Sequence, residues 1–411
     1  MKKKNAPAGI SRRQFLGGTL AAITAPTIIP GSALGLDGRP SPGNRITIGC
    51  IGMGGRGTGD MQGFLSFEQV QVVAVCDVRK PHVEKAKSIV NDRYGNKSCV
   101  ACGDFREITS RPDIDAVLIG TPDHWHAIIS VEAMRHGKDV FCEKPETLTV
   151  REGREMVNAA KLYGRVFSGG SQRVWGDYHW FHRMVRSGAI GEPREAWVNV
   201  GGPSIPSNLP GMPVPPDIDW DMWLGPAPMV PFNPALLNFR AWRDYSGGGM
   251  TDWGAHCFGG ALFCLQLHET GPSEIIPPNG NDIPNLTFRF ANGIQIYHNG
   301  GKGDSRLTFR GTDRTISQDD AKTMPAPNIY IPNYKGSGGL IGDFLHCVRT
   351  RELPFRNIEA AHRTVTVCHL GNIAYRLNRP LKWDPVKEEI IGDEEAGRML
   401  SRPKRAPWHI V

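Results

Sequence analysis

Two groups of residues in this chain have the types and spacing to do chemistry. The first is Gly52-Met53-Gly54-Gly55-Arg56-Gly57, a G-x-G-x-x-G run, with Asp77 standing 20 residues after Gly57. Where such a run leaves a strand and opens a helix, each glycine has a task. The first permits the tight turn, the second lets the backbone approach a pyrophosphate, and the third lets helix pack on strand. Asp77 would then hydrogen-bond the adenosine ribose hydroxyls. An acid there repels a 2′-phosphate and favours NAD, whereas Arg79, two residues on, offers NADP a counter-charge. The second group is Asp252 and His256, four residues apart in a stretch with helical spacing, so both are expected on one helix face. A packed helix with a capping Asp and a core His would hold the same pair without chemistry. His124, His126 and His256 are also metal-ligand types, but no acid or Cys is spaced to complete a shell on one element, and no metal is expected.

These residues need a scaffold. Apolar runs at 46–51, 70–76, 116–119 and 139–142 alternate with amphipathic stretches at 81–94, 126–136 and 150–163. Strand and helix in alternation predict a doubly wound parallel sheet with crossover helices over 44–167, an α/β Rossmann domain. Beyond 167 the texture changes. A Pro-, Gly- and Trp-rich stretch spans 201–234, too long for a simple connection and therefore read as a functional loop or contact arm. One helical segment follows at 249–267, then alternating runs at 286–290, 294–298 and 306–310 that read as antiparallel strands. This predicts an α+β second domain with a largely antiparallel open sheet over 168–380, and a C-terminal segment over 381–411.

The chain has 411 residues, 40% hydrophobic and 22% charged, the balance of a folded globular protein. Its formal net charge of +7 owes much to Lys2, Lys3, Lys4, Arg12 and Arg13. Without them the remainder is nearly neutral and carries no basic stripe, so nucleic acid is not an expected partner. Residues 1–33 read as a targeting segment: Arg12-Arg13 followed by Phe15-Leu16, an apolar run over 20–29, and small residues at 31–33, similar to a twin-arginine export signal. The apolar run is short for a membrane span, and no other stretch reaches spanning length. The nine cysteines include Cys50, Cys76 and Cys142 in apolar runs, where they read as small core residues. Cys99 and Cys102 have redox spacing but no second pair to complete a zinc site.

Further motifs fall at the carboxyl ends of the later strands, where ligands of an open parallel sheet bind. They are Thr121-Pro122-Asp123-His124-Trp125-His126 and Glu143-Lys144-Pro145. Downstream come Gly170-Ser171-Gln172-Arg173, Ser187-Gly188-Ala189-Ile190-Gly191, Trp223-Leu224-Gly225-Pro226, the stretch from Gly247 through Asp252 to His256, and Leu370-Gly371-Asn372-Ile373-Ala374. Together they resemble the Gfo/Idh/MocA family, the glucose-fructose oxidoreductase and inositol dehydrogenase type, from about residue 44 to the C-terminus. The resemblance implies that Gly52, Met53, Gly54, Gly55, Arg56, Gly57, Asp77, Thr121, Pro122, His124, His126, Glu143, Lys144 and Gln172 contact the dinucleotide. It implies that Arg173, Trp242 and Arg243 contact a sugar. It further implies that Lys144, Asp252 and His256 surround the carbon being oxidised. His256 would accept the hydroxyl proton, Lys144 would hold the developing alkoxide, and Asp252 would orient the imidazole or bind a neighbouring hydroxyl. One departure is that the family often has an acid three residues after the His, where Cys257-Phe258-Gly259-Gly260 offers none.

The resemblance also implies a homo-oligomer formed through the open face of the second sheet. Export of a folded chain to a place where free NAD is scarce implies a tightly held cofactor regenerated within the site. Two reactions satisfy that condition. One is oxidoreduction of a sugar, cyclitol or glycoside; the other is glycoside cleavage through transient oxidation of the sugar. A sugar-binding module with an idle Rossmann fold would leave Lys144, Asp252 and His256 unexplained.

Overall fold

Strands β1 (Ile46–Ile51), β4 (Ala116–Ile119) and β5 (Asp139–Cys142) are almost wholly buried. Burial on both faces is what central strands of a parallel sheet require. In the computed structural model, which describes residues 40–299 and 305–410, they join β2 (Val70–Cys76), β3 (Val100–Cys102) and β6 (Phe167–Gly169) in the order β3-β2-β1-β4-β5-β6, every neighbour parallel. The export segment 1–33 lies outside the described residues. The chain divides into a short unit, Met1–Arg45, and a large one, Ile46–Val411. In the short unit a 3₁₀ turn spans Pro42–Asn44.

The crossover helices are α1 (Gly55–Leu65), α2 (Lys80–Tyr94), the single turn α3 (Arg106–Thr109), α4 (Asp123–Arg135) and α5 (Val150–Tyr163). Helix α5 is set at both ends: Thr149 and Glu152 form a capping box, and Gly164 closes it in the left-handed conformation at φ 61°. Strand order reverses between β1 and β4, so their carboxyl ends splay apart and open a crevice.

The second half begins with α6 (Arg173–Gly176), α7 (His179–Arg186), β7 (Pro193–Val198) and α8 (Trp220–Leu224). The stretch predicted as one helix over 249–267 is two, α9 (Gly249–Asp252) and α10 (Gly254–Cys264). At the junction the His256 amide bonds the Trp253 carbonyl at 3.1 Å, a tighter i to i−3 register. The interruption falls between Asp252 and His256, so their spacing of four does not place them as it would in a continuous helix.

Strands β8 (Glu274–Ile276), β9 (Leu286–Arg289), β10 (Gln295–His298), β11 (Leu307–Gly311) and β12 (Thr315–Ser317) follow, then helices α11 (Gly339–Thr350) and α12 (Ile358–Leu377). The chain ends with β13 (Leu381–Asp384), β14 (Glu389–Ile390) and α13 (Glu394–Arg398). The sheet runs β12-β11-β7-β10-β9-β8-β13-β14, antiparallel except where β7 meets β10. The fold is therefore α/β, a parallel Rossmann sheet followed by a mixed, mostly antiparallel one. Helices α10 and α12 cover the second sheet, with Phe258 edge-on to Phe288 at 5.3 Å.

Chain order does not partition the layers cleanly. Helix α11, far beyond residue 167, buries Leu340, Phe344 and Leu345 against the first sheet. Its Phe344 forms an aromatic triad with Phe64 and Phe141, centroids 5.3–6.1 Å apart. The segment after 380 extends the second sheet through β13, then returns to seat Trp408 against Trp125 at 4.7 Å. All nine cysteines are free thiols, and Cys102 alone among them is not fully buried.

Candidate active site

The crevice between β1 and β4 is lined by the glycine loop, and the loop's shape follows from its residues. Gly52 follows β1 with φ 83°, and a Cβ there would lie 2.5 Å from the Thr121 amide nitrogen after β4. A Cβ on Gly57 would meet the Gly52 carbonyl oxygen at 1.9 Å, so helix α1 packs on the loop only because position 57 has no side chain. Gly54 and Gly55 differ: a Cβ on either meets nothing within 4 Å. Their missing side chains leave open space at the amino end of α1, where unpaired amides favour an anion.

Asp77 follows β2, and its carboxylate accepts from the Met53 amide at 2.7 Å and the Arg79 amide at 2.8 Å. His82 Nδ1 lies 3.3 Å from the same group. Asp77 thus braces the glycine loop as well as facing the crevice. The cleft is lined by Gly52, Gly54, Gly55, Arg56, Asp77, Thr121, Pro122, Glu143 and Lys144 among the predicted residues. The hydroxyl of Thr121 is buried in this wall with no hydrogen-bond partner. A turn without Cβ atoms, a helix start, a braced ribose-side acid and an orphaned hydroxyl in one cleft fit a nicotinamide dinucleotide.

Arg56 reaches from α1 to two buried carboxylates, Asp60 at 2.7 Å and Glu143 at 3.0 Å. One guanidinium cannot neutralise both. Burial, reinforced by the Glu143 charge, pushes Asp60 up to about 8, and burial also raises Glu143. Glu143 additionally accepts the Lys144 amide at 3.2 Å, so it shapes the loop that presents the lysine.

Lys144 joins the two halves of the site. Its Nζ donates to the Asp252 carboxylate at 2.6 Å and to the Asp252 carbonyl at 2.9 Å. Arg240 donates to the same carboxylate oxygen at 3.0 Å. Burial pushes the Asp252 carboxyl up, but Lys144 and then Arg240 outweigh it and hold the group below its ordinary range. The hydrogen bonds of Asp252 thus serve Lys144 and Arg240, not the imidazole, one of the two partners the resemblance implied for it.

His256 is 3% exposed and held from the opposite side by Ser171, whose Oγ lies 2.8 Å from Nδ1 and 3.2 Å from the Ala255 carbonyl. A hydroxyl has one proton. Satisfying both contacts requires Ser171 to donate to Ala255 and accept from Nδ1–H, which leaves Nε2 as a free acceptor. Burial first, then the Lys144 ammonium and the Arg173 guanidinium, hold this imidazole well below its usual value, so it stays neutral at neutral pH. His256 does not line the dinucleotide cleft itself.

Several predicted contacts lie elsewhere. The Met53 side chain is 2% exposed, and Gly57 sits behind the loop. His126 bridges two loops, with Nδ1 2.7 Å from the Pro145 carbonyl and Nε2 2.8 Å from that of Thr121. His124 turns away: its Nε2 meets the Trp223 carbonyl at 3.0 Å and its ring packs on Trp223 and Tyr245. Gln172 offers its backbone carbonyl to the Tyr334 hydroxyl at 2.8 Å and does not line the cleft. Arg173 lies over Trp253 and pairs with Asp177, Trp242 donates its indole N–H to Ala235, and Arg243 lines a different cavity. Residues not singled out from the sequence take their place: Asp123, Phe105, Met222, Leu237, Phe239 and Arg240 all line the cleft. Asp123 carries only the motif spacing as a signal. Arg240 carries none, since its role comes from folding the 234–242 turns over Asp252.

Comparison with known proteins bears on the family and the fold. The family model described as "Oxidoreductase family, NAD-binding Rossmann fold" matches residues 46–171, and "Oxidoreductase family, C-terminal alpha/beta domain" matches 194–410. A protein named alpha-N-acetylgalactosaminidase from Shewanella oneidensis is 31% identical over 170 residues, which is 37% of this chain and 37% of that one. A glycosyl hydrolase family 109 protein from Shewanella sp. is 35% identical over 119 residues, 28% of this chain and 26% of that protein. The matches thus span between about a quarter and little more than a third of these relatives' length.

Among solved structures, an NAD-binding protein from Listeria innocua superposes with TM-score 0.59 at 20% identity, covering 82% of this chain and 97% of that one. The aldose-aldose oxidoreductase from Caulobacter crescentus gives 0.58 at 20%, with 82% and 99% covered. Myo-inositol 2-dehydrogenase from Lactobacillus plantarum gives 0.59 at 16%, with 82% and 99% covered. These likenesses share the fold, while the two domain models span most of the chain: it belongs to the Gfo/Idh/MocA family of NAD-binding oxidoreductases.

Proposed function

We propose that this protein oxidises a secondary hydroxyl of a sugar, cyclitol or glycoside. The observation that carries the reading is the Lys144 ammonium, held by Asp252 in the lining of a cleft fit for a dinucleotide. Gly52, Gly54, Gly55, Asp77 and Thr121 would hold NAD, with Asp77 favouring it over NADP. Bound there, the dinucleotide supplies the hydride acceptor. The chain's own work is to manage the hydroxyl proton and the developing charge. Neutral His256, with Nε2 free, accepts the proton, and Lys144 places positive charge against the alkoxide. Asp252 is a positioning residue that fixes the lysine.

A second reading is favoured by the relatives named glycosyl hydrolase family 109 and alpha-N-acetylgalactosaminidase. In it the sugar is oxidised transiently, the aglycone leaves, and the hydride returns, giving net hydrolysis. Mixing the purified chain with aryl glycosides and no added NAD separates the two. Release of the aryl alcohol supports the second, and accumulation of an oxidised sugar with a reduced acceptor supports the first. If neither occurs and no dinucleotide binds, both readings fail.

Export through the twin-arginine route, retention of the cofactor through purification and assembly as a homo-oligomer belong to the same proposal. Replacing Arg12 and Arg13 by Lys tests the first, heat-released supernatant the second and light scattering the third.

A further inference from the structure

A second concave site lies across a wall of rings from the dinucleotide cleft. Trp223 lines the cleft, His124 packs on Trp223 and on Tyr245, and His124 also lines a separate cavity. That cavity is assembled from distant parts of the chain. Glu152 comes from α5, Arg243 and Asp244 from the approach to α9, Arg376 from the end of α12, and Arg402 and Lys404 from the C-terminal segment.

The charges there do not balance. Lys404 is answered by Glu152 at 3.0 Å. The other oxygen of Glu152 already accepts the Leu148 and Thr149 amides at 2.8 and 3.1 Å, so this carboxylate is fully used. Among the described residues no carboxylate forms an ion pair with Arg243, Arg376 or Arg402, although Asp244 lines the same cavity. Nη2 of Arg376 is buried with no hydrogen-bond partner, and Arg402 gives one N–H to the Arg243 carbonyl. Burial, with Arg402 and Arg243 adding repulsion, pushes the Arg376 guanidinium down to about 10. Burial lowers Arg402 as well. All three arginines are half-buried, a buried N–H is ordinarily hydrogen-bonded, and guanidinium forks match tetrahedral oxygens in pairs.

We propose that this cavity binds a tetrahedral oxyanion, phosphate or sulfate, free or as an ester on a sugar, held by Arg243, Arg376 and Arg402. Occupancy would supply the missing counter-charge. It would also tie α12 and the C-terminal segment to the stretch that carries Phe239 and Arg240 into the cleft. The site does not depend on the oxidoreductase reading.

Thermal unfolding of the whole chain, in sodium phosphate against sodium chloride at matched ionic strength, tests the proposal. Wild type should gain about 2 °C or more, saturating with phosphate. Arg376→Met removes a half-buried charge whose Nη2 has no partner, so it should melt no lower than wild type in chloride and lose the phosphate shift. Arg402→Gln should weaken phosphate binding at least tenfold, which covers the case in which Arg376→Met does not fold. These variants also separate this cavity from the start of α1, which can itself take an anion but which neither arginine touches. Calorimetric titration with inorganic phosphate, sulfate and glucose 6-phosphate identifies the source. A tenfold preference for the ester supports a sugar-borne group, and equal or stronger binding of the inorganic ions supports the free anion. Absence of saturable binding by all three, or a phosphate shift that survives in both variants, overturns the proposal.

Discussion

Lys144 and Asp252, 108 residues apart in sequence, are joined twice, through the carboxylate at 2.6 Å and the backbone carbonyl at 2.9 Å. The double contact fixes the ammonium in direction as well as distance. A flexible lysine stem would otherwise sample many rotamers, and a charge that wanders stabilises an alkoxide poorly.

Loss of Lys144 or of His256 to Ala should leave folding and dinucleotide content intact while lowering turnover by about 10²–10⁴-fold. The double variant should be little worse than the poorer single one, because groups that act as a unit are not additive. Asp252→Asn keeps a side-chain acceptor oxygen and the backbone carbonyl but removes the negative charge that holds the lysine, so it should fall between wild type and Lys144→Ala. Single-turnover absorbance of the bound nicotinamide after substrate addition reads all four. A wild-type rate in Lys144→Ala or His256→Ala would refute their assigned roles.

The glycine loop offers a contrast between two substitutions of the same kind. At position 57 a methyl group collides with the Gly52 carbonyl, so Gly57→Ala should cost about 1–3 kcal/mol of stability. At position 54 the same methyl meets nothing, so Gly54→Ala should melt with wild type yet bind NAD at least ~10-fold more weakly, a loss of about 1.4 kcal/mol. Scanning calorimetry with equilibrium dialysis measures both. Unchanged NAD affinity in Gly54→Ala would show that the open space is not where the pyrophosphate sits.

Asp77→Ala should weaken NAD more than NADP. Both lose the brace on the Met53 and Arg79 amides, but only NAD loses its ribose acceptor while NADP is relieved of a repelling charge. The ratio of the two dissociation constants is therefore the measurement, and an unchanged ratio would place Asp77 away from the ribose.

Asp123 is 3% exposed, with its carboxylate accepting from the Ser246 hydroxyl at 2.6 Å. Burial raises its carboxyl to about 7, whereas an unfolded chain releases that proton near about 3.9. Between those values the folded state binds the extra proton, so this group lowers stability progressively as pH rises. Asn at 123 cannot ionise. The stability of Asp123→Asn relative to wild type should accordingly increase from pH 4 to 7 and level off above, as read by urea unfolding across that range. A pH-independent difference would mean that Asp123 titrates normally.

Local chemistry made much of this protein legible before folding. The run from Gly52 to Gly57, the acid at 77 and the apolar stretches at 46–51 and 139–142 report interactions between residues near in sequence, or between whole strands whose burial needs only an apolar pattern. These determined the Rossmann sheet and the position of its cleft. The break at Trp253 was not legible, because one hydrogen-bond register shift leaves no mark on residue spacing. The packing of α11 on the first sheet was equally hidden, since an amphipathic helix states that it has a buried face but not which sheet buries it. The same limit explains His124 and His126: a motif places both beside the cleft, yet side-chain packing turns one onto Trp223 and wedges the other between the Pro145 and Thr121 carbonyls, to one of which it donates. Residue types alone determined that a dinucleotide loop, a lysine and a histidine were present. Only the tertiary structure decided that Asp252 holds Lys144, that Ser171 sets His256, that Arg240 lines the cleft and that three arginines share a cavity with no carboxylate paired to them, because each depends on long-range contacts between segments the chain brings together only when folded.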